Sequence, residues 1–336
     1  MRHEKTIKLS LTAVWMLILI LDGKTALDGM QDGLKICMET LIPALFPFLF
    51  LSSVISGNLP DNCPGFLSRL IRITGIPDYV AMILPIGWLG GYPIGARCAS
   101  ELHSSGSISV EEATDLTVIC NAAGPAFLFG VLLPLFRDKR TVLWLWGIHL
   151  VSAVLVGSGR RTESRPAAYT HITASSFGAL MNGAIRTMAS VCGCVILFRT
   201  VLAFLDRWLF WLIPAEWNAL CSGILELSNG SLRLSGIPDE DLRFLIASVL
   251  LGFGGICVHL QTLSVFPQIR YKLYLSGKLR QTVYSFILAS AMIAVRRDHF
   301  FLGSILVFGI FLSTVIRKHP MMGRQNSGSN PASFDV

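Results

Sequence analysis

Charged residues are scarce in this chain of 336 residues. They form 15% of the sequence, whereas 52% of the residues are hydrophobic. Soluble domains carry about 25% charged residues, so this balance excludes an ordinary soluble domain and indicates a membrane protein with several spans. The formal net charge of +7 is spread over short loops. That distribution is typical of membrane topology signals rather than of a nucleic-acid-binding face.

The motifs of common enzymes are also missing. The chain contains no H-E-x-x-H, no G-x-S-x-G and no Walker loop, so nothing predicts a metalloprotease, a serine hydrolase or a nucleotide-driven pump. It has no C-x-x-C, and seven of its eight cysteines lie in apolar segments, where we expect them to pack as small apolar residues. We therefore expect no enzymatic activity, no catalytic residue, no metal site and no cofactor.

A cluster of helix breakers lies inside one apolar region. Gly87 to Gly95 reads G-W-L-G-G-Y-P-I-G, with four glycines and one proline among nine residues. Unpaired backbone groups are costly in hydrocarbon and persist only inside protein or beside a polar cavity. The stretch therefore predicts the tip of a broken helix at a transport site.

Apolar runs long enough to cross a bilayer recur along the chain. The first, Ile7 to Leu21, lacks a small-residue cleavage site after it, so we interpret it as an uncleaved helix rather than a signal peptide. Ser109 with Glu112 three residues later predicts a capping box, and Arg69 and Arg72 mark a short amphipathic surface segment. Val80 to His103 is the short segment that contains the helix breakers. The other predicted spans are Leu34 to Ile55, Ser109 to Leu135, Thr141 to Val156, Phe177 to Leu205, Asp239 to Phe266, Thr282 to Val295 and Phe300 to Ile316.

The pattern of interruptions repeats in the second half. Trp217 to Gly236 is too short and polar to span simply, and the next apolar run is broken by glycines. Aligning Gly95 with Gly230 places Asn121 to Pro125 opposite Ile256 to Leu260. Two short interrupted segments at matching positions are typical of a transporter binding site.

These observations predict an all-α polytopic membrane protein: an inverted repeat with two re-entrant hairpins and two broken transmembrane helices. Lysine and arginine are enriched in the loops on the side of the N-terminus, which places that side in the cytoplasm, with one hairpin entering from each face. The alternative is that the short segments cross the membrane fully, and then the repeat is lost. The predicted organisation is an N-terminal helix and loop (1–33), a first repeat (34–157), a basic loop (158–176), a second repeat (177–295), a C-terminal transmembrane helix (296–320) and a disordered tail (321–336).

Several motifs in register resemble the sporulation integral membrane protein YlbJ (SpoVV) family. They are G-G-Y-P-I-G-A-R, S-x-E-E-A, N-A-A-G-P-A-F, G-I-L-E-L-S-N-G and G-F-G-G-I-C-V-H-L-Q, within Leu34 to Tyr284. The resemblance implies kinship with the nucleoside-recognition Gate-domain group. It also implies a multi-pass protein of the outer forespore or cell membrane of an endospore-forming bacterium, with a role in moving dipicolinic acid.

The predicted substrate site combines close backbone approach with a few polar side chains. Half-helix N-termini suit an anionic substrate, and glycine lets the backbone come near it. Arg97 offers a guanidinium for a carboxylate, and Tyr92 offers a ring for stacking or a hydroxyl. The predicted substrate-binding residues are Gly91, Tyr92, Gly95, Arg97, Asn121, Gly124, Glu226, Asn229, Gly230, His259 and Gln261.

Several of these residues have more than one interpretation. Asn121 either satisfies backbone groups freed by Pro125 or touches substrate. Glu226 is an intramembrane acid that pairs with Arg97, carries a coupling proton or forms a structural ion pair. His259 is either a proton-coupling group or a hydrogen-bonded structural histidine. Arg186 and Arg199 are weaker candidates for the cavity.

Three hypotheses follow from the sequence. The first is a transporter of a small anionic metabolite, most specifically dipicolinic acid during sporulation. The second is a nucleoside or other metabolite carrier of the same fold, and the third is a non-transporting sporulation membrane scaffold. The expected partners are the small anionic substrate, membrane lipid, and a second copy or other sporulation membrane proteins, but no nucleic acid.

Overall fold

The computed structural model describes residues 2–56, 65, 83–157, 176–299, 303–307 and 309–310. All regular structure in these ranges is helical, which confirms the prediction of an all-α polytopic membrane protein. The helices long and apolar enough to cross a membrane are Gly23–Leu51, Val110–Leu135, Arg140–Gly157, Phe177–Trp208 and Glu240–Val265.

The N-terminal part is more helical than expected. Helix α1 is Arg2–Leu21, α2 is Gly23–Ile36, and a π-helical turn leads into α3, Ile42–Ser56. Residues 23–33, which we expected to form a loop, are therefore part of a helix. The Asp22 side chain caps this helix by accepting the Thr25 N–H at 3.4 Å.

Two glycines allow α2 to pack closely against a neighbouring helix, and this packing stabilises it as a helix. A Cβ on Gly29 would lie 2.9 Å from the Thr200 Cα, and one on Gly33 would lie 2.8 Å from the Ile196 Cα. The backbones of α2 and of the helix Phe177–Trp208 thus approach each other closely, and small residues permit such approach between membrane helices. The packing buries polar and small residues that hydropathy alone assigns to a loop.

The first repeat contains a hairpin, a broken helix and a full span. Helices α4, Ile83–Gly90, and α5, Ile94–Ser104, flank the first break; α6, Val110–Cys120, is followed by α7, Pro125–Phe127, which continues as π and 3₁₀ turns to Leu135. Helix α8 is Arg140–Gly157. The capping box at the start of α6 is confirmed, with Ser109 N donating to Glu112 Oε2 at 2.8 Å and Glu112 N donating to Ser109 Oγ at 3.2 Å.

The second repeat has the same order of elements. Helix α9 is Phe177–Trp208, α10 is Ala215–Leu225, α11 is Leu227–Arg233, α12 is Glu240–Phe253, α13 is Gly255–Val265 and α14 is Tyr271–Arg296. The last helix begins before the predicted span at Thr282. Consequently Lys278 and Arg280, which precede the predicted span and were expected in the basic loop before it, lie within a helix.

Contacts between helix ends define two faces of the bundle. On the first, which we call the Ser109 face, Arg270 pairs with Glu111. On the opposite Asp206 face, Asp206 pairs with Arg233 at 2.7 Å and Asp241 pairs with Arg297 at 2.6 Å. The hairpin α4–α5 ends at the Ser109 face and the hairpin α10–α11 ends at the Asp206 face, so one hairpin enters from each side.

Two hydrophobic cores correspond to the two faces. One surrounds the first hairpin and includes Leu84, Leu102, Leu116 and Phe266; the other surrounds the second hairpin and includes Leu132, Leu145, Leu234, Phe244 and Leu250. The site described below lies where these cores meet. The predicted amphipathic segment around Arg69 and Arg72, the basic loop with Arg160, Arg161 and Arg165, most of the span Phe300 to Ile316 and the tail from 321 lie outside the described residues.

Candidate functional site

The first hairpin is formed by two arms that pack on the same atom. A Cβ on Gly87 would lie 2.2 Å from the Cys120 carbonyl oxygen, and one on Gly95 would lie 2.5 Å from it. The arms α4 and α5 therefore run side by side against the end of α6. The tip lies between them at Gly91, whose φ of +80° is a conformation that glycine adopts readily.

The second hairpin is closed by contact between its own arms. A Cβ on Gly230 would lie 2.1 Å from the Gly223 Cα, so α10 and α11 touch backbone to backbone. At the tip, the Glu226 carboxylate accepts the N–H groups of Ser228 at 3.0 Å and Asn229 at 2.7 Å, and the Asn229 side-chain amide at 2.7 Å. Glu226 is therefore an N-cap of α11, a position that favours a carboxylate.

Each hairpin tip lies against the helix break of its own repeat. A Cβ on Gly124 would lie 2.9 Å from the Gly91 nitrogen, and one on Gly255 would lie 2.9 Å from the Gly223 oxygen. The two halves are joined by Tyr92, whose hydroxyl donates to the Leu251 carbonyl at 3.2 Å. Both tips and both breaks therefore meet in one region of the bundle.

A small cavity occupies this meeting point. Its volume is about 40 Å³, which is room for a few water molecules. Helices α2–α3 and α9 complete its walls with apolar side chains. Its lining residues are Leu41, Leu45, Gly91, Tyr92, Gly124, Phe127, Val191, Val195, Glu226, Leu227, Ser228, Val258 and Gln261.

The first break is held open by side chains from distant helices. The Asn121 amide donates to Thr262 Oγ1 at 2.9 Å, and the Ala123 N–H donates to His149 Nε2 at 3.0 Å. The Asn121 carbonyl accepts Lys278 Nζ at 2.7 Å. Two backbone groups released by the unwinding, the Ala123 N–H and the Asn121 carbonyl, are thus satisfied by side chains, as a break inside a membrane bundle requires.

Lys278 was missed by the sequence analysis. It lies on α14 in a stripe of fully buried polar residues with Tyr274, Gln281 and Ser285. Their spacing of three and four residues places them on one helix face, and this periodicity is a signal that the sequence does contain. It was overlooked because Lys278 lies among several basic residues that resemble a loop.

The second break is shorter and is stabilised by fewer contacts with distant helices than the first. Gly254 adopts a φ of +88° at the junction of α12 and α13. His259 Nε2 lies 3.0 Å from the Phe253 carbonyl oxygen, so this nitrogen carries a proton and satisfies a carbonyl at the break. The contact gives His259 the structural role that was one of its two interpretations.

Arg97 and Glu226 do not pair, so that interpretation is wrong. Arg97 Nε donates to Glu101 Oε1 at 2.9 Å on its own helix, whereas Glu226 caps α11. Arg97 instead lines a second cavity of about 410 Å³, which opens at the surface and also contains Ser100, Asn182, Arg186 and Thr187. Arg199 pairs with Asp32 at 2.8 Å and Asp206 at 3.2 Å, so its charge is already compensated.

The predicted site residues thus fall into four groups. Gly91, Tyr92, Gly124, Glu226 and Gln261 line the small cavity. Gly95 and Gly230 permit close packing of helix backbones. Asn121, Asn229 and His259 stabilise the breaks and the second tip, and Arg97 lies in the surface cavity.

These features define a multi-pass, all-α membrane protein whose two hairpins and two broken helices converge on one internal site. Comparison with curated proteins identifies a relative in this class, "Sporulation integral membrane protein YlbJ" of Bacillus subtilis (strain 168). It is 25% identical over 314 residues, covering 78% of this chain and 76% of the relative. The chain is therefore related to the YlbJ family, as its motifs predicted. No family model and no solved structure matches the chain.

Proposed function

We propose that this protein is a transporter that moves a small anionic metabolite across a membrane. The observation that carries the proposal is one cavity lined by both hairpin tips, by Gly124 of the first break, and by Val258 and Gln261 just after the second break. Broken helices that meet inside a membrane bundle are the usual architecture of a transporter binding site. A scaffold has no need of such buried polar backbone and side chains.

The described conformation is a closed one under this proposal. Small-molecule sites commonly span about 300–1,000 Å³, whereas this cavity has about 40 Å³. Substrate therefore enters only when a hairpin moves. At Gly91, Gly124 and Gly255 the contacts are between backbone atoms. These surfaces separate without any rearrangement of interdigitated side chains.

The surface cavity on the outer side of the first hairpin is the proposed entrance. Arg97 comes from α5 of that hairpin and Arg186 comes from α9. Two guanidinium groups facing one open cavity attract carboxylates, which they bind through charge-assisted hydrogen bonds. Glu101 neutralises part of this charge through its pair with Arg97, so an arriving anion competes with Glu101.

Dipicolinic acid is the substrate we propose. The relative from Bacillus subtilis is named for sporulation, and the family resemblance implies this acid as cargo. Its carboxylates suit the two arginines, and its ring suits Tyr92 at the tip. By the same resemblance, we propose the membrane around the developing spore as the site of action.

A nucleoside or another neutral metabolite is the second candidate. The observation that favours it is the carboxylate of Glu226 on the cavity wall, beside Gln261. A carboxylate repels a dianion but accepts hydrogen bonds from hydroxyl and amino groups. Against this candidate, both Glu226 oxygens already accept bonds from α11.

Uptake by reconstituted vesicles tests the proposal. Purified full-length protein is placed in liposomes, and the uptake of labelled dipicolinate is compared with that of labelled uridine. The double variant Arg97→Gln/Arg186→Gln removes two charge-assisted contacts, so its dipicolinate uptake at low substrate concentration should fall about tenfold or more.

Arg297→Gln is the matched control, since it removes an arginine at the Asp206 face where Arg297 pairs with Asp241. Its uptake should equal that of the wild type. Vesicles that take up neither compound would exclude the proposed function. Uptake of uridine alone would replace dipicolinate by the second candidate.

A further inference from the structure

The side chain of Lys278 ends in an amino group that is enclosed in the helix bundle. It is fully buried, and its Nζ donates to the Asn121 carbonyl at 2.7 Å and to Gln281 Oε1 at 2.9 Å. The rings of Tyr92 and Tyr274 lie on it, with centroids 5.7 and 5.9 Å from Nζ. Neutral oxygens and aromatic faces are ligands for a cation.

No carboxylate among the described residues forms an ion pair with Lys278. Unpaired charges are rarely buried, because desolvation penalises them. The titratable groups that face Lys278 lie at the first tip, on α6, α8 and α13, and on α14 itself, and none of these groups is a carboxyl group. They are Tyr92 at the first tip, Cys120 on α6, His149 on α8, His259 on α13 and Tyr274 on α14 itself.

Nζ of Lys278 occupies a position that resembles a cation-binding site of a transporter. In many transporters the carbonyls of an unwound helix coordinate the sodium ion or proton that drives transport. Asn121 ends α6 at such an unwound segment, and its carbonyl contacts the ammonium. Lys278 thus places a covalently attached positive charge where a free coupling ion would otherwise bind.

We propose that Lys278 is the coupling group of the transporter and that its protonation and deprotonation link transport to a proton. The proposal rests on the transport function proposed above. In the protonated state Nζ holds the Asn121 carbonyl and fixes the first break. When the first hairpin moves, the proton passes from Nζ to water on the side with the higher pH, and Nζ regains a proton from the other side in the alternate conformation.

Tyr92 connects this group to the substrate site. Its ring lies against Nζ, its hydroxyl contacts the second repeat at Leu251, and it lines the small cavity. Lys278 itself does not line that cavity. A movement of the first tip that admits substrate therefore displaces the ring beside Nζ and changes the exposure of the ammonium in the same step.

Vesicles containing the full-length protein separate the two proposals. Exchange of external labelled dipicolinate for internal unlabelled dipicolinate, at equal pH, tests whether transport occurs. Net accumulation under a pH difference, with the membrane potential clamped at zero, tests coupling. One pH unit sets an equilibrium accumulation of about tenfold for each coupled proton.

We expect the wild type to exchange and to accumulate in one direction of the pH gradient. Lys278→Gln should lose the accumulation but still exchange, at a lower rate than the wild type because the Asn121 carbonyl loses its Lys278 donor. Lys272→Gln, which removes an exposed lysine of the same helix, should behave as the wild type. A sodium gradient should give no accumulation in any of the three proteins.

The outcomes are distinguishable. A wild type that exchanges dipicolinate but ignores the pH gradient would overturn the role of Lys278 and leave the transport function standing. A wild type that does neither would overturn both. If Lys278→Gln does not fold, Lys278→Arg decides, because arginine keeps the charge but does not release its proton; accumulation equal to the wild type in this variant would contradict the proposal.

Discussion

The two repeats solve the same structural problem in different ways. In the first, four unwound residues from Asn121 to Gly124 are held by side chains of α8, α13 and α14. In the second, the break is essentially Gly254, and the nearby tip is capped by its own Glu226. The first repeat depends on long-range contacts, whereas the second depends on local ones.

This difference indicates which repeat is able to change shape. Local caps and glycine turns keep their geometry as a helix pair moves as a unit. Long-range hydrogen bonds such as Lys278 to Asn121 connect separate helices, so their loss changes the relative position of those helices. We therefore expect the moving part to be the first hairpin with its break, and the second repeat to be the more rigid part.

Substitutions at the close backbone contacts of the hairpins should have the largest effects on the stability of the protein. In Gly230→Ala the new Cβ meets the Gly223 Cα at 2.1 Å, and in Gly95→Ala it meets the Cys120 oxygen at 2.5 Å. Backbone atoms cannot yield as flexible side chains do, so each substitution should lower the free energy of unfolding by roughly 1–3 kcal/mol or more. Thermal denaturation of the purified protein in detergent measures this.

Gly147→Ala in α8 is the matched control, because no atom lies within 4 Å of the added Cβ. It should be neutral or stabilising, by up to about 1 kcal/mol of helix propensity. Equal denaturation temperatures for Gly147→Ala, Gly95→Ala and Gly230→Ala would show that neither hairpin is packed as described.

The histidines at the two breaks should give intermediate effects of unequal size. His149→Leu leaves the buried Ala123 N–H without its acceptor, which should cost about 1–3 kcal/mol. His259→Leu removes a donor from the Phe253 carbonyl, and unsatisfied carbonyls are tolerated better than unsatisfied N–H groups. The denaturation temperature should therefore be highest for the wild type, lower for His259→Leu and lowest for His149→Leu. The reverse order of the two variants would remove the distinction between the breaks.

The cap at the start of α12 should make the smallest contribution to stability, and this contribution depends on pH. The Leu242 N–H donates to Asp239 Oδ1 at 3.0 Å, and this hydrogen bond lowers the pKa of the Asp239 carboxyl below its usual value. A lowered folded-state pKa means that the cap stabilises the protein above the unfolded-state pKa of about 3.9, and that this stability is lost as the pH falls through the folded-state value.

Asp239→Asn keeps an acceptor oxygen that does not titrate. The denaturation temperature of the wild type relative to this variant should therefore be constant from neutral pH down to about pH 5 and decrease below about pH 4. A difference that stays constant to strongly acidic pH would show that the carboxylate does not act as the cap.

The sequence alone predicted the breaks and the capping box at Ser109 because these are local features. Several glycines and prolines close together in the sequence interrupt a helix. Ser109 and Glu112, three positions apart, specify a capping box. The matching order of broken segments in the two halves was visible for the same reason. The helical state of residues 23–33 was not, since Gly29 and Gly33 are unfavourable in an isolated helix and are explained only by the close approach of α9.

Partners of polar residues were decided by the tertiary structure. Glu226 and Arg97 both take partners at local spacings, because Glu226 caps its own helix end and Arg97 pairs with Glu101 one turn later. That they do so, and do not pair with each other, depends on which residues the fold brings together. Lys278 shows this most clearly: a basic residue among basic residues predicts a loop, yet its ammonium lies in the bundle because the unwound carbonyl of Asn121 and Gln281 receive it. The physical reason is that helix interruption depends on short-range sterics, whereas the position of a buried charge depends on which distant groups can compensate its desolvation.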